Sequence, residues 1–468
     1  PCMPQWSDGD ALNELANFQS ERVRYEEALP IFVRALAIRE KALGKDHPSV
    51  ATGLNNLAEL YRAQGDYPKA LPMYVRALAI REKALGKNHP DVAESLNNLG
   101  LLYHAQSDYA KALPLHERAL AIWEKALGKD HPDVATSLNN LGGLYNAQGD
   151  YSKALPLFVR ALAIDEKALG KDHPSVATSL NNLALLYHAQ GDYSKALPMY
   201  VRALAISEKA LGKDHPDVAT RLNNLAGLYD EQGDYPKALP LFMRALAIDE
   251  KALGKDHPSV ATSLNNLAGL YHAQSDYAKA LPLLVRALAI REKALGKNHP
   301  DVANSLNNLA LLYHAQGDYA KALPLNERAL AICEKALGKE HPNFATSLNN
   351  LAVLYERQGD YVKALPLQER ALAISEKALG KDHSDVATSL NNLALLYVAQ
   401  DKYEKALPMY VRALAITKKA VGKDHPNVGI LLNNFAGCLE ALGKTKEAAA
   451  ARARAKKIQD RIDRKSGK

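Results

Sequence analysis

The chain repeats itself at a shift of 42 residues, and that period decides what it can fold into. Leu54-Asn55-Asn56 returns at 96, 138, 180, 222, 264, 306, 348, 390 and 432, which makes ten plain copies. A degraded eleventh copy lies upstream, where Leu12-Asn13-Glu14-Leu15 precedes Tyr25-Glu26-Glu27-Ala28-Leu29-Pro30. A fixed period of roughly 20 to 50 residues is the mark of a solenoid, in which each unit buries its apolar face only by stacking on its neighbours. Such an array is free of the limit of about 250 to 300 residues on a single core, as a chain of 468 residues needs to be.

Within one unit, Leu54, Leu57, Ala58 and Tyr61 follow the i, i+3, i+4, i+7 spacing of one helix face. This predicts a first helix, A, from Pro48 to about Gln64, with Pro48 in the first turn, where an N–H would go unused, and Gly65-Asp66 as its stop. A second helix, B, is predicted from Tyr67 through Ala70, Leu71, Ala77, Leu78 and Ile80 to Leu85, ending at Gly86. Pro72 breaks a local rule inside B and recurs at 30, 114, 156, 198, 240, 282, 324, 366 and 408. A proline inside a helix removes a backbone bond and crowds the preceding turn, so B is expected to start late or to bend there.

Leu54, Leu57, Ala58, Tyr61, Gly65, Tyr67, Ala70 and Ala77 match the large-and-small alternation of the tetratricopeptide repeat. The long period, with LNNLA in helix A and LGKDHP between units, resembles the repeats of kinesin light chains over about residues 10 to 465. The resemblance implies an all-α solenoid, a right-handed superhelix of about eleven helix pairs. It divides the chain into an N-terminal extension (1–9), a repeat array (10–443) and a basic capping helix with its tail (444–468).

On a helical wheel the side of A opposite Leu54 and Leu57 carries Thr52, Asn56, Glu59 and Ala63. In tetratricopeptide arrays that side lines the concave groove. The resemblance therefore implies a peptide-binding ladder of Asn56, Asn98, Asn140, Asn182, Asn224, Asn266, Asn308, Asn350, Asn392 and Asn434. An amide offers donor and acceptor together and can pair with the backbone of an extended peptide whatever its side chains. The same amides could instead bridge neighbouring helices. Beside the ladder, one varying column includes His104, His188, Asp230, His272 and His314 as further candidate contacts. Another reads Glu59, Leu101, Gly143, Leu185, Gly227, Gly269, Leu311, Val353, Leu395 and Gly437, apolar shelves alternating with open floors. This groove departs from the basic one of kinesin light chains, so a preference for acidic ligands is not carried over.

The formal charge of +7 is confined to one end: residues 444 to 468 hold ten Lys or Arg against three Asp or Glu, and the remainder balances. A neutral array gives no electrostatic reason to expect nucleic acid along its length, and no apolar run approaches a membrane span. Ten histidines, His47 through His425, fall one repeat apart in the Lys-Asp-His-Pro turn. Equal spacing of that kind cannot gather ligands round one metal, so capping or packing in the turn is their expected role. Cys2, Cys333 and Cys438 form no CxxC or Cys/His spacing and no closed disulfide set, which favours a reducing, cytoplasmic setting. No phosphate loop, HExxH or GxSxG is present, so neither enzyme nor cofactor is expected.

The function expected is that of a protein-interaction scaffold whose groove holds an extended peptide or partner protein. The alternative is a structural protein that assembles head to tail into oligomers or filaments, since near-identical units make the ends of the array resemble its interior. Against it stand the degraded first copy and the charged last helix, which would act as caps.

Overall fold

The computed structural model describes residues 25–465, together with Leu12 and Glu14. The expected extension at 1–9 and the A-helix of the degraded copy lie outside the described residues, apart from those two positions. The described chain opens with the B-helix Tyr25–Leu43 and continues through ten A/B pairs, from Pro48–Ala63 and Tyr67–Leu85 to Pro426–Ala441 and Thr445–Lys465. Among the described residues there is no strand, and no helix is long and apolar enough to cross a membrane.

Each A-helix begins on its loop histidine. The ring Nδ1 of His47 accepts the Ser49 backbone N–H at 3.1 Å, and the same bond recurs at His89, His131, His173, His215, His257, His299, His341, His383 and His425. An imidazole thus serves as the N-cap that Ser or Asp usually supplies, ahead of a proline that needs no donor in every copy but that of His383, which precedes Ser384. The A-helix ends in a Schellman turn: Asp66 N–H reaches the Tyr61 carbonyl at 2.8 Å and Gly65 N–H the Arg62 carbonyl at 3.0 Å, with Gly65 at φ +70°. Asp66 then caps helix B through the Lys69 N–H. B does not start late. It begins at Tyr67 and runs through Pro72 to Leu85, because only one backbone bond near the helix start is lost while Ala70, Tyr74, Ala77 and Ile80 are held in the core.

Among the described residues the core is a chain of small clusters. Ala58, Ala70 and Tyr74 of one repeat close over Leu99 and Leu102 of the next, and the pattern recurs along the array. Each buried leucine contributes about 1.5–3 kcal/mol, and each is shared between neighbours, so no unit is stable alone. The fully buried alanines, Ala77 among them, let A and B approach closely. A larger side chain there would cost about 1–3 kcal/mol through overpacking. On the outside, Arg118 reaches back to Glu82 and Lys167 to Asp130, and equivalent ion pairs link successive repeats.

The curvature follows from which helices crowd together. Successive A-helices approach one another more closely than successive B-helices, which reach each other through long side chains such as Arg118 and Glu82, so A forms the inner wall and B the outer. The winding is tight enough that one turn meets the next: His299 lies against Ala63 and His383 against Ala147, each 236 residues apart, between five and six repeats.

Candidate functional site

The inner wall offers three rows of side chains from each A-helix. The outermost is exposed and is Thr in most copies, Thr136, Thr178 and Thr262 among them. The middle row is the predicted ladder. Asn56, Asn98, Asn140, Asn182, Asn224, Asn266, Asn350, Asn392 and Asn434 are half-buried, and Asn308 is exposed.

The ladder is wired sideways, from repeat to repeat. Asn140 Nδ2 donates to Asn97 Oδ1 at 2.9 Å, Asn182 to Asn139 at 3.3 Å, Asn224 to Asn181 at 2.8 Å and Asn434 to Asn391 at 3.0 Å. The receiving asparagine passes the bond on: Asn139 Nδ2 donates to Ser179 Oγ at 2.8 Å, and Ser179 donates to Asp165 Oδ2 at 2.6 Å. Asn223, Ser263 and Asp249 repeat the relay two units later. Burial pushes the Asp165 and Asp249 carboxyls above the usual carboxylate range. The amides therefore join helices as well as facing the groove, and in most pairs one Asn is occupied before any ligand arrives; Asn265 is an exception, with neither side-chain atom hydrogen-bonded among the described residues. Sequence reading missed the serine column, although a polar residue recurring on the buried side of A is the signal that would have found it.

The flanking column is held against the next helix. His104, His272 and His314 pack on Tyr109, Tyr277 and Tyr319, with ring centroids 5.7, 5.6 and 5.5 Å apart, and each leaves Nε2 without a hydrogen-bond partner among the described residues. Burial pushes the His104 and His314 imidazoles below their ordinary value. His188 differs: its Nε2 meets Glu231 Oε2 at 2.8 Å and its Nδ1 meets the Tyr200 hydroxyl at 3.3 Å. One Asp230 carboxylate oxygen has no partner among the described residues, and burial raises that carboxyl.

The third row makes the relief. Leu185 is 38% exposed and Leu311 is 55% exposed, unusual values for leucines on the inner wall. Between them stand Gly227 and Gly269, where a Cβ would meet nothing within 4 Å. Two apolar shelves therefore bound an open floor two repeats wide, over which Asn224, Asn266, Asp230 and His272 are placed. Gly143 and Gly437 are equally open. Among the described residues no group of three His, Cys, Asp or Glu side chains is placed to hold a metal ion.

The tetratricopeptide repeat family model matches in ten overlapping segments, the first at residues 8–83 and the last at 385–460. The chain belongs to the tetratricopeptide repeat family. Among solved structures it is similar to the nearly identical TPR-like repeats of a putative kinesin light chain from Podosopora anserina, 33% identical over 44% of this chain and 97% of that one, TM-score 0.37. It is also similar to BtubC (BKLC) from P. vanneervenii, 27% identical over 50% and 91%, TM-score 0.40. A Rap protein complexed with competence and sporulation factor shares the fold at 15% identity over 88% and 98%, TM-score 0.50. No curated protein matches the chain.

Proposed function

We propose that this tetratricopeptide array is a non-enzymatic scaffold whose inner wall holds an extended segment of a partner protein, centred on the floor between Leu185 and Leu311. The observation that carries this reading is the relief itself. Two exposed leucines facing two vacant glycine positions form a recess where apolar side chains of a ligand gain burial, about 25 cal/mol per Å² removed from water. The groove-facing amides of Asn224 and Asn266 would pair with its backbone, each bond adding about 1 kcal/mol net.

The test is to fill the floor. A Cβ at Gly227 or Gly269 meets nothing within 4 Å, and Gly227→Leu with Gly269→Leu replaces helix-weakening glycines by residues that Leu185 and Leu311 already carry at the same position of the repeat, so the fold is expected to hold or gain stability. A peptide array probed with the wild-type chain and with this double variant is expected to lose its captured peptides in the variant. Capture that is unaffected overturns the reading.

A further inference from the structure

The loop histidines do two jobs, and the second is done only where the superhelix has completed a turn. Because Nδ1 accepts the backbone N–H two residues on, the neutral ring carries its proton on Nε2. At His299 that Nε2–H donates to the Ala63 carbonyl at 3.2 Å, and at His383 to the Ala147 carbonyl at 3.1 Å. His341 reaches Ser107 Oγ at 3.2 Å, one rung between them. The accepting carbonyl is no accident of packing. The Schellman turn satisfies Leu60, Arg62 and Tyr61, and Ala63 is the one carbonyl at that helix end left for an outside donor.

Each half of this seam recurs without its partner at the two rims of the molecule. On the first turn, His89, His131 and His215 keep the capping bond but are 41%, 40% and 42% exposed, whereas His299 and His383 in the seam are 9% exposed. On the second turn the local bonds close in the same way, and among the described residues no donor meets the Ala273 or Ala315 carbonyl. A Cβ at Gly317, beside Ala315, or at Gly359, in the next turn of this rim, would meet nothing within 4 Å, whereas one at Gly65 in the seam would press on Pro300 Cδ at 2.9 Å. One rim carries donors and the other carries acceptors, in the geometry that already joins the two turns.

We infer that a second copy of this chain stacks coaxially on the first, its rim of loop histidines seated on the rim of A-helix ends. The contact continues the seam within the chain. It uses loop edges and not the faces of the terminal helix pairs, so the caps that block end-to-end stacking of repeats do not block it. The interface is heterologous and leaves both outer rims free, so it propagates into a filament. It is separate from the inner wall and does not rest on the groove reading.

The test uses the full chain in analytical ultracentrifugation over a concentration series. Replacing His89, His131 and His215 with Asn keeps a good N-cap but removes the reach across the rim. Gly317→Asn with Gly359→Asn keeps a residue that tolerates positive φ and obstructs the acceptor rim. Wild type is expected to grow in steps of one chain mass as concentration rises. Each variant alone is expected to stay a single chain with an unchanged thermal midpoint, and an equimolar mixture of the two to form dimers and stop. Wild type that stays a single chain, or assembly that persists in either variant, overturns the inference. Filling the groove at Gly227 and Gly269 is expected to leave assembly as it was.

Discussion

Gly65 and Gly191 lie on the first turn of the superhelix, Gly317 and Gly359 on the second, in the same Schellman turn with φ between +69° and +78°. A side chain at Gly191 would sit 2.4 Å from the His425 ring, and one at Gly317 would meet nothing. The loop histidines show the converse: His131 is 40% exposed on the first turn and His383 is 9% exposed on the second. Near-identical local sequence thus lives in two environments, and what separates them is chiefly position along the winding, a property of the whole array. A residue that looks redundant ten times over has a different consequence in each half.

The largest effect is expected where backbone strain is matched and only the seam differs. Gly191→Ala and Gly317→Ala both place a Cβ at positive φ, at a similar cost of about 1 kcal/mol. Only Gly191→Ala also drives that atom into His425, adding about 1–3 kcal/mol of overpacking. Urea unfolding of the two variants measures the difference. Amide exchange is expected to rise at residues 423–425 in Gly191→Ala alone. Equal destabilisation would show that the seam is not closed in solution.

A smaller difference is expected for the histidines. His383→Asn and His131→Asn each keep the cap, but only the first removes a bond between turns, worth about 1 kcal/mol. Amide exchange near Ala147 is expected to quicken in His383→Asn and to stay unchanged in His131→Asn, at concentrations low enough to keep the chain single.

How far the residues announced this can be traced column by column. The A-helix face of Leu54, Leu57 and Ala58 was legible because it obeys one period and is buried by neighbours of the same sequence. The capping role of the histidines was legible from the proline that follows nine of the ten, His383 being followed by Ser384. The late start expected for helix B was misjudged because the local rule weighs one lost bond at Pro72, whereas Ala70 and Tyr74 in the core outweigh it. The open floor at Gly227 and Gly269 could be read, since glycine varies there against leucine. The sideways wiring of Asn139 to Ser179 could not, because the partners are 40 residues apart and their approach depends on the angle between repeats. The seam was further out of reach, because the number of repeats in a turn appears in no single repeat.

The last and gentlest probe is pH. Burial pushes the imidazoles of His299, His341 and His425 below their ordinary value. Asp301 raises and Arg291 lowers the first, the backbone at Ala105 raises the second, and Glu231 raises and His188 lowers the third. With folded values below the unfolded one, the unfolded or opened chain binds more protons once pH falls under about 6.5. Stability therefore rises with pH across that window and falls as the solution is acidified. The added proton would go to Nδ1, which now accepts the backbone N–H, so protonation removes the cap and places a cation in the seam together. Small-angle scattering on the isolated chain is expected to show a constant radius of gyration from pH 8 to 7 and an increase between pH 6.5 and 5, as the turns part while the helices persist by circular dichroism. In His383→Asn, with one rung already gone, the increase should begin at higher pH. A radius that ignores acidification in both proteins would place the force holding the turns together outside these histidines.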